Sequence, residues 1–389
     1  MNKFFHHLIA VAACILSIAG TAAFAQSIDI KAPHAILIDA ATGTILFEKE
    51  ANEPVPPASL SKLMTMEVVF NALKEGRLSL SDEFFVSENA WRTGGANSGG
   101  STMFAELSSN VSLENLIQGV IVQSGNDACI IIAEGISGSE EGFAVEMNRR
   151  AAELGLNESF FINSTGLPDP NHLMSVHDLA FLARHIIATY PEYYKYYSQS
   201  EFTWNGIQQY NRNPLLRSVT GADGLKTGYT AEAGYGLVGS AVRADLRLVV
   251  VVTGLANRRE REEESRKLLD WGFRAFEQVT LFDSGSEVGT ARVYGGETWT
   301  VPLTGDGAIR ILLPREARRR LRADVSYFGP LMPPIEAGDR VASLNVTTES
   351  GISLSVPLYA ADDVSEGPLH RRAMDAVLNL ISRNIELPW

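Results

Sequence analysis

The sequence predicts an α+β fold followed by a small all-β domain. Three observations lead to this prediction. Residues 34–47 read as a β-hairpin around a turn that contains Gly43, and the middle of the chain carries apolar residues at helical spacing before two late strands. From Val279 onward the pattern changes to short β-type runs separated by Gly, Pro and Asp. With 389 residues, 45% of them hydrophobic and 20% charged, the chain can bury a core divided between two domains.

Residues 1–25 have the features of a secretory signal peptide. Lys3 supplies a positive charge, Phe4 to Ala19 is mostly apolar, and Ala23-Phe24-Ala25 supplies the small residues of a signal peptidase site. We therefore expect an exported protein that begins near Gln26. The run before Cys14 resembles a lipoprotein cleavage box, but the apolar stretch continues past it, so lipidation of Cys14 is the less favoured alternative.

Residues 26–277 are predicted to form the first domain. The hairpin consists of strands Ala35–Asp39 and Thr44–Phe47, and a later strand pair covers Leu237–Ala241 and Leu246–Gly254. The last of these is almost wholly apolar, which predicts a central position in a sheet. Helical spacing predicts helices at Leu60–Leu73, Leu113–Gln123, Asn126–Ile136, Gly142–Leu154, Val176–Thr189 and Arg258–Phe276. The Gly/Ser-rich loop at residues 93–102 is expected to form the rim of a site.

Residues 278–363 are predicted to form the all-β domain. Its runs contain no concentrated set of catalytic residue types, so we expect a structural or partner-binding role; the runs are Glu287–Val293, Thr298–Pro302, Ile309–Leu313, Arg340–Val346 and Ser353–Leu358. Residues 364–389 contain an amphipathic helix from Leu369 to Trp389. It could lie in a membrane interface, with Trp389 at headgroup level, or dock on the domain. Periodicity alone leaves both alternatives open.

Charge and residue usage exclude several classes of function. The net charge of −13 becomes one unit more negative once Lys3 leaves with the leader, which argues against a nucleic-acid partner. After cleavage Cys129 is the only cysteine, so no intrachain disulfide can form; we expect it to be a buried, hydrophobe-like residue. The histidines show no metal-ligand spacing, and His172 and His177 are expected to cap or pack. We predict no metal and no cofactor.

Ser59 and Lys62 form the first candidate catalytic pair. Pro57 and a small residue precede Ser59, and helix formers follow it, so Ser59 should lie at a helix start. Residues three apart share a helix face, so the hydroxyl can contact the amine, and the helix N-terminus favours a developing oxyanion. This pattern is typical of a nucleophile that is activated without histidine. A capped surface helix is the alternative.

Two further motifs follow in order, Ser124-Gly125-Asn126 at a predicted helix start and Lys226-Thr227-Gly228 just before the strand pair. Each is common alone, but their order and spacing together are not. With their flanking residues, Ala58 to Thr65, Gln123 to Cys129 and Asp223 to Thr230, they resemble the active-site motifs of penicillin-recognising serine enzymes. Among these enzymes, the three motifs are most similar to those of the low-molecular-mass penicillin-binding proteins of the peptidase S11 family, which act as D-alanyl-D-alanine carboxypeptidases.

The resemblance implies a catalytic role for each matching residue. Ser59 would be the nucleophile that forms the acyl-enzyme, and Lys62 the base that accepts its proton, provided that burial keeps the amine partly neutral. Ser124 would relay protons toward the leaving amine. Asn126 would bind the peptide of the substrate and hold Lys62.

The same resemblance implies a set of substrate-binding residues. Lys226 supplies positive charge, and Thr227 with Arg212 would grip the terminal carboxylate, with Gly228 completing the motif. The backbone N–H groups of Ser59 and Tyr229 would form the oxyanion hole. Many relatives have His where this chain has Tyr229, which puts pH dependence or substrate preference in question more than activity.

The resemblance also implies a fold, a reaction and a cellular place. The fold would be a five-stranded antiparallel sheet with flanking helices and an all-helical subdomain that carries Ser124. The enzyme would remove the terminal D-alanine from peptidoglycan stem pentapeptides, would be acylated by β-lactam antibiotics, and would act in wall maturation, cross-link control and cell shape. We expect it to be periplasmic and held at the outer face of the inner membrane through residues 369–389.

Three other functions compete with this interpretation. A class A β-lactamase shares the three motifs, and Glu153 with Asn157 has the spacing of its deacylating glutamate, but we expect Glu153 to be a solvated helix residue. A penicillin-binding D,D-endopeptidase shares the motifs too, although such relatives usually lack the tail. A non-catalytic wall-binding scaffold is the least favoured alternative, because all the nucleophilic groups are present.

Overall fold

A computed structural model describes residues 28–315, 321–348 and 353–384. The predicted signal peptide, Cys14 and Trp389 lie outside the described residues.

The first part of the described chain runs to residue 275 and alternates strands with helices. Its elements in chain order are β1 (His34–Asp39), β2 (Ile45–Lys49), α1 (Lys62–Lys74), β3 (Glu83–Phe85), β4 (Asn110–Ser112), α2 (Leu113–Gln118), α3 (Asn126–Ser137), α4 (Glu140–Leu154), α5 (Val176–Thr189), α6 (Pro191–Tyr194), β5 (Glu201–Trp204), β6 (Ile207–Tyr210), α7 (Leu215–Ser218), β7 (Ala222–Thr230), β8 (Gly234–Arg243), β9 (Leu246–Leu255) and α8 (Arg258–Ala275).

A five-stranded antiparallel sheet is the centre of this first part, with the strand order β2-β1-β9-β8-β7. Alternate residues of a strand point to opposite faces, and both faces of this sheet are covered. Ile36 and Ile38 of β1 pack with the helical layer that contains α1 to α5, while Leu37 packs with α8 through Leu268 and Leu269. The almost wholly apolar strand β9 is central, as predicted.

The second part of the described chain is dominated by strands. Its elements are β10 (Phe276–Phe282), β11 (Gly289–Arg292), β12 (Thr300–Gly305), β13 (Ile309–Pro314), β14 (Leu321–Ser326), β15 (Arg340–Thr348), β16 (Ser353–Ala360) and α9 (Leu369–Asn384). A five-stranded sheet has the order β11-β12-β16-β15-β14, and β10 pairs with β13. Phe276 and Leu312 pack in the core of the first part, so β10 and β13 join the two halves of the chain. The boundary at residues 277 and 278 stays a prediction.

The predicted α+β fold and the five-stranded antiparallel sheet are confirmed, with two local corrections. The helix predicted over Leu113–Gln123 ends at Gln118, and Gly119–Gln123 forms a wider π-helical turn that is closed by a 2.9 Å bond from the Gly125 N–H to the Gly119 carbonyl. The Lys226 motif precedes the strand pair β8 and β9 as predicted, but it lies inside a strand of its own, β7, which the sequence pattern did not predict. Pairing with β8 holds this segment extended although it has little apolar alternation.

Helix α9 has an amphipathic sequence, and it contacts the β sheet region at its start. The buried Asp375 carboxylate accepts a 2.7 Å hydrogen bond from the Gly295 N–H, while Leu369, Met374 and Val377 are exposed. Within the described ranges, no helix combines the length and apolar content needed to cross a membrane.

Candidate active site

Ser59 lies in a 3-10 turn, Ala58–Ser61, that leads directly into α1. The turn packs closely against β7, where a Cβ on Gly228 would lie 3.0 Å from both Leu60 Cγ and the Pro57 carbonyl oxygen. A side chain at this position would force these neighbours to shift, so glycine allows the close approach. The backbone of Ala58 has φ +48, a strained left-handed conformation of the kind that clusters at functional sites. The sheet edge therefore holds the Ser59 turn in place.

Lys62 is wholly buried beneath Ser59 and has three polar neighbours. Its Nζ lies 3.1 Å from Ser59 Oγ, donates to Asn126 Oδ1 at 2.8 Å, and donates to the Thr165 carbonyl. Burial lowers the pKa of Lys62 below 10.5, and the positive charge of Arg212 lowers it further. A neutral amine has two N–H donors and one lone pair. The two carbonyl acceptors can take the donors, which leaves the lone pair for the Ser59 hydroxyl.

The Thr165 carbonyl is a contact of Lys62 that the sequence analysis missed. Asn163 Oδ1 accepts hydrogen bonds from Thr165 N, Thr165 Oγ1 and Gly166 N, at 2.8 to 3.1 Å, and so fixes this turn. An Asn followed three residues later by Gly is a local turn signal, but it does not say that the turn meets Lys62, which is 103 residues away in sequence.

Ser124 and Lys226 form a second buried pair. Ser124 has φ +65, a strained conformation for a residue with a side chain, at the junction between the π-helical turn and α3. Lys226 Nζ donates to Ser124 Oγ at 2.8 Å and to the Thr227 carbonyl at 3.1 Å. Burial, followed by the charges of Lys62 and Arg212, lowers the pKa of Lys226 well below 10.5. The amine therefore gains its positive charge most readily when an anion binds beside it.

Asp127 is a further residue that the motif analysis did not single out. It is fully buried, and each of its carboxylate oxygens accepts two hydrogen bonds. Oδ1 accepts from Met103 N and Ala128 N, and Oδ2 from Thr102 Oγ1 and Ala105 N, at 2.6 to 3.1 Å. The carboxylate thus ties the end of the Gly/Ser-rich loop to the start of α3, next to Asn126.

An open cleft of about 1070 Å³ lies above these buried pairs. Six of the predicted site residues line it, namely Ser59, Ser124, Arg212, Thr227, Gly228 and Tyr229. The other three, Lys62, Asn126 and Lys226, are buried directly beneath. The structure therefore brings all nine together. Gly99, Gly100 and Ser101 also line the cleft, so the Gly/Ser-rich loop forms part of its rim.

Arg212 projects into the cleft from a fixed segment. Asn211 and Asn213 on either side are buried and bond backbone carbonyls, with Asn213 Nδ2 donating to the Gly224 carbonyl at 2.7 Å. The guanidinium itself is exposed and donates to Ser101 Oγ at 2.5 Å. Arg217, Arg258 and Arg261 line the same cleft, and motif analysis did not identify them. This end of the cleft is cationic and suited to a carboxylate.

The other residues that the sequence analysis considered make packing or ion-pair contacts and do not line the cleft. Glu153 lies on the exposed face of α4, paired with Arg149 and Arg150, and it does not line the cleft. Cys129 is buried, which raises the pKa of its thiol to about 12. His172 packs edge-on against Phe161 and His177 stacks on Phe181. Across the described ranges, no three His, Cys, Asp or Glu side chains form a group that could hold a metal ion.

The fold, with a serine–lysine pair at the edge of the five-stranded sheet and a second serine on the helical side, is that of the penicillin-recognising serine enzymes. The chain belongs to the peptidase S11 family, described as D-alanyl-D-alanine carboxypeptidase, whose profile matches residues 21–257. The profile described as Penicillin-binding protein 5, C-terminal domain, matches residues 276–366. The family predicted from the three motifs is confirmed.

Individual relatives resemble the chain over between 64% and 95% of its length. It is 39% identical over 378 residues to D-alanyl-D-alanine carboxypeptidase DacC of Escherichia coli (strain K12), covering 95% of this chain and 94% of the relative. Crystal structures of penicillin binding protein 5 from Haemophilus influenzae match with a TM-score of 0.79 at 37% identity, covering 87% of this chain and 99% of theirs. Penicillin-Binding Protein D2 from Listeria monocytogenes, in its ampicillin-bound form, matches with a TM-score of 0.55 at 29% identity, covering 64% and 99%.

Proposed function

We propose that this protein is a serine-type D-alanyl-D-alanine carboxypeptidase that removes the terminal D-alanine from peptidoglycan stem pentapeptides and acts in wall maturation. The observation that carries the proposal is the contact of 3.1 Å between Lys62 Nζ and Ser59 Oγ, with Lys62 wholly buried. Burial lowers the pKa of Lys62, so a larger fraction of this amine is neutral and able to accept a proton than of an exposed lysine.

In the acylation step, neutral Lys62 takes the hydroxyl proton as Ser59 Oγ attacks the carbonyl between the two D-alanines. The new bond joins Ser59 Oγ to the carbonyl carbon, and the backbone N–H groups of Ser59 and Tyr229 stabilise the oxyanion. The bond from that carbon to the nitrogen of the terminal D-alanine then breaks. The leaving amine takes the proton that Lys62 removed from Ser59, passed on through the Ser124 hydroxyl, which Lys226 orients, so that Lys62 is neutral again. Water later hydrolyses the ester and restores Ser59.

Specificity for a terminal residue is assigned to the cationic end of the cleft. The Thr227 hydroxyl and the Arg212 guanidinium line it, and Lys226 lies beneath. A carboxylate bound there would favour the charged form of Lys226, whose pKa burial lowers. Recognition of a free carboxylate distinguishes a carboxypeptidase from an endopeptidase.

The same nucleophile should be acylated by β-lactam antibiotics, and the ampicillin-bound form of the Listeria relative supports this expectation. Rapid release of the adduct would require a positioned deacylating group. Glu153, the sequence candidate, lies on the surface of α4 in ion pairs with two arginines. The placement of this side chain favours a long-lived adduct over β-lactamase turnover.

The substrate test compares a stem pentapeptide that ends in free D-Ala-D-Ala with the same peptide amidated at its C-terminus. We expect release of one D-alanine from the free peptide and at least about tenfold slower reaction of the amidated one, because the amide removes the charge that Arg212 binds. Equal rates on both peptides would favour the endopeptidase alternative. Arg212→Gln should lose most of this preference for the free peptide, whereas Arg77→Gln, at an exposed arginine outside the cleft lining, is the control and should keep it.

We also propose that α9 holds the enzyme at the outer face of the inner membrane, with residues 26–277 as the catalytic domain and 278–363 as the β domain. The exposed Leu369, Met374 and Val377 support an interfacial position. A chain truncated after Glu366 should leave the membrane fraction and keep its activity on soluble peptide. Membrane association that survives the truncation would mean that the helix serves only to cap the domain.

A further inference from the structure

An uncharged loop of the β domain exposes large apolar side chains. Residues 327–334 read Tyr-Phe-Gly-Pro-Leu-Met-Pro-Pro, and we call them the apolar loop. Phe328 is 101% exposed and Met332 is 65% exposed. Scattered exposed hydrophobic residues are common, but two large ones in an eight-residue segment without a charge form a patch that needs an explanation.

The apolar loop is fixed next to the start of α9. Leu331 exchanges hydrogen bonds of 2.8 Å with the strand-end segment at Arg292 and Tyr294. The very next residue, Gly295, donates its N–H to Asp375 of α9 at 2.7 Å. Consecutive Cα atoms are about 3.8 Å apart, so Leu331 and Asp375 are held by neighbouring points of one backbone. The exposed Met332 follows Leu331 in the chain, and the exposed Met374 precedes Asp375.

The other end of the apolar loop is attached to the same region. Buried Ile335 pairs with Val364 through two backbone hydrogen bonds, of 3.0 and 2.8 Å, just before the chain enters α9. Arg371 of α9 lies 5.1 Å from the ring centre of Trp299, which is itself 37% exposed. Exposed apolar tips beside arginine and tryptophan are typical of a surface that enters the headgroup region of a bilayer.

We propose that the apolar loop is a second membrane contact, in which Phe328 and Met332 insert at the boundary between headgroups and acyl chains beside α9. This inference rests on the proposed attachment through α9. The whole chain has a net charge of −13 and is repelled by an anionic membrane, so attachment depends on local apolar and cationic groups. Two contacts at neighbouring points would also fix the orientation of the β domain on the bilayer, which one helix alone would not do.

The test measures binding of the exported full chain to vesicles of phosphatidylethanolamine with a minority of phosphatidylglycerol. The double variant Phe328→Ser with Met332→Ser should bind at least about tenfold more weakly, because two apolar side chains no longer leave water. Phe85→Ser is the matched control, since Phe85 is 57% exposed but lies on β3. Its binding should not change. All variants should keep the same rate of acylation by benzylpenicillin, which shows that they are folded.

Comparison with the chain truncated after Glu366 separates the two proposals. If the double variant binds like the unchanged protein while the truncated chain does not bind, the inference about the loop is wrong and the helix anchor stands. If truncation has no effect but the double variant binds weakly, the anchor proposal fails and the loop contact stands. If the unchanged protein does not bind vesicles at all, both are wrong, and the patch belongs to a protein interface.

A fluorescent label at the loop reports insertion directly. Cys129 is fully buried, so Phe328→Cys provides the accessible thiol for an environment-sensitive dye in the exported chain. The emission should rise on addition of vesicles and should be quenched by spin-labelled acyl chains. The same dye on Phe85→Cys should show neither effect. Unchanged emission at position 328 on bound protein would overturn the inference.

Discussion

Lys62 is the residue on which the proposed chemistry depends, because its amine must be neutral to accept a proton. The change Lys62→Arg keeps a positive charge but removes a group that can lose it. Acylation by penicillin should fall by about 10²–10⁴-fold, the usual effect of removing a general base. Lys74→Arg at the exposed end of the same helix is the control and should acylate normally. Near-normal acylation in Lys62→Arg would mean that the Ser124 and Lys226 pair, and not Lys62, acts as the base.

The pH dependence of acylation should report the same amine. Burial lowers the pKa of Lys62 below 10.5, so the rate should decrease as the pH falls through this lowered value, and the acid limb should lie below that of an ordinary lysine. Burial raises the pKa of the nearby Cys129 thiol to about 12, so Cys129→Ala should leave this limb in place. A limb that coincides with that of an exposed lysine would argue against Lys62.

At the scale of secondary structure elements, the turn that carries Ser59 is supported from behind by Gly166. This glycine has φ +77, and a Cβ there would lie 2.0 Å from the Ala58 carbonyl oxygen and 2.5 Å from Ser61 Oγ. Gly166→Ala should therefore displace the turn, slow acylation strongly, and lower the free energy of unfolding by more than the backbone strain alone. The measurements are thermal unfolding and the rate of penicilloyl formation.

Gly155 provides the matched control for this substitution. Its φ is +73, yet a Cβ there would meet nothing within 4 Å. Gly155→Ala should cost about 1 kcal/mol from the left-handed backbone conformation and leave acylation unchanged. If the two variants had the same stability and the same acylation rate, close packing behind the Ser59 turn would not matter.

How well the sequence predicts an element depends on where its stability comes from. Helix α5 has the predicted bounds, Val176 to Thr189, because Ser175 caps it with a 3.0 Å bond from the Asp178 N–H and its apolar spacing is regular. Strand β7 contains few apolar residues and is held by pairing with β8, so local pattern could not reveal it. The motifs located the site residues, but not the Thr165 carbonyl or the cationic Arg261, whose positions are set by long-range contacts.

At the scale of the whole molecule, the proposed chemistry and the proposed membrane contacts lie in different halves of the chain. The buried lysines and the cleft belong to the sheet around β9, whereas the apolar loop and α9 belong to the β-rich half. Strands β10 and β13 connect the halves through Phe276 and Leu312, which pack in the core of the first. Such an arrangement suits an enzyme that is held at a membrane while its cleft reaches a wall peptide.

Ser59 is the proposed nucleophile, and mass spectrometry of the whole protein after exposure to benzylpenicillin tests this assignment without an intermediate step. Ser124→Ala is the comparison variant, because it removes the hydroxyl that Lys226 contacts and leaves Ser59 and Lys62 in place. In the unchanged protein we expect one persistent penicilloyl adduct, located on the peptide that contains Ser59. In Ser124→Ala the same adduct should form more slowly. Ser59→Ala should form no adduct and should release no D-alanine from a stem pentapeptide. An adduct or continued turnover in Ser59→Ala would contradict the assignment.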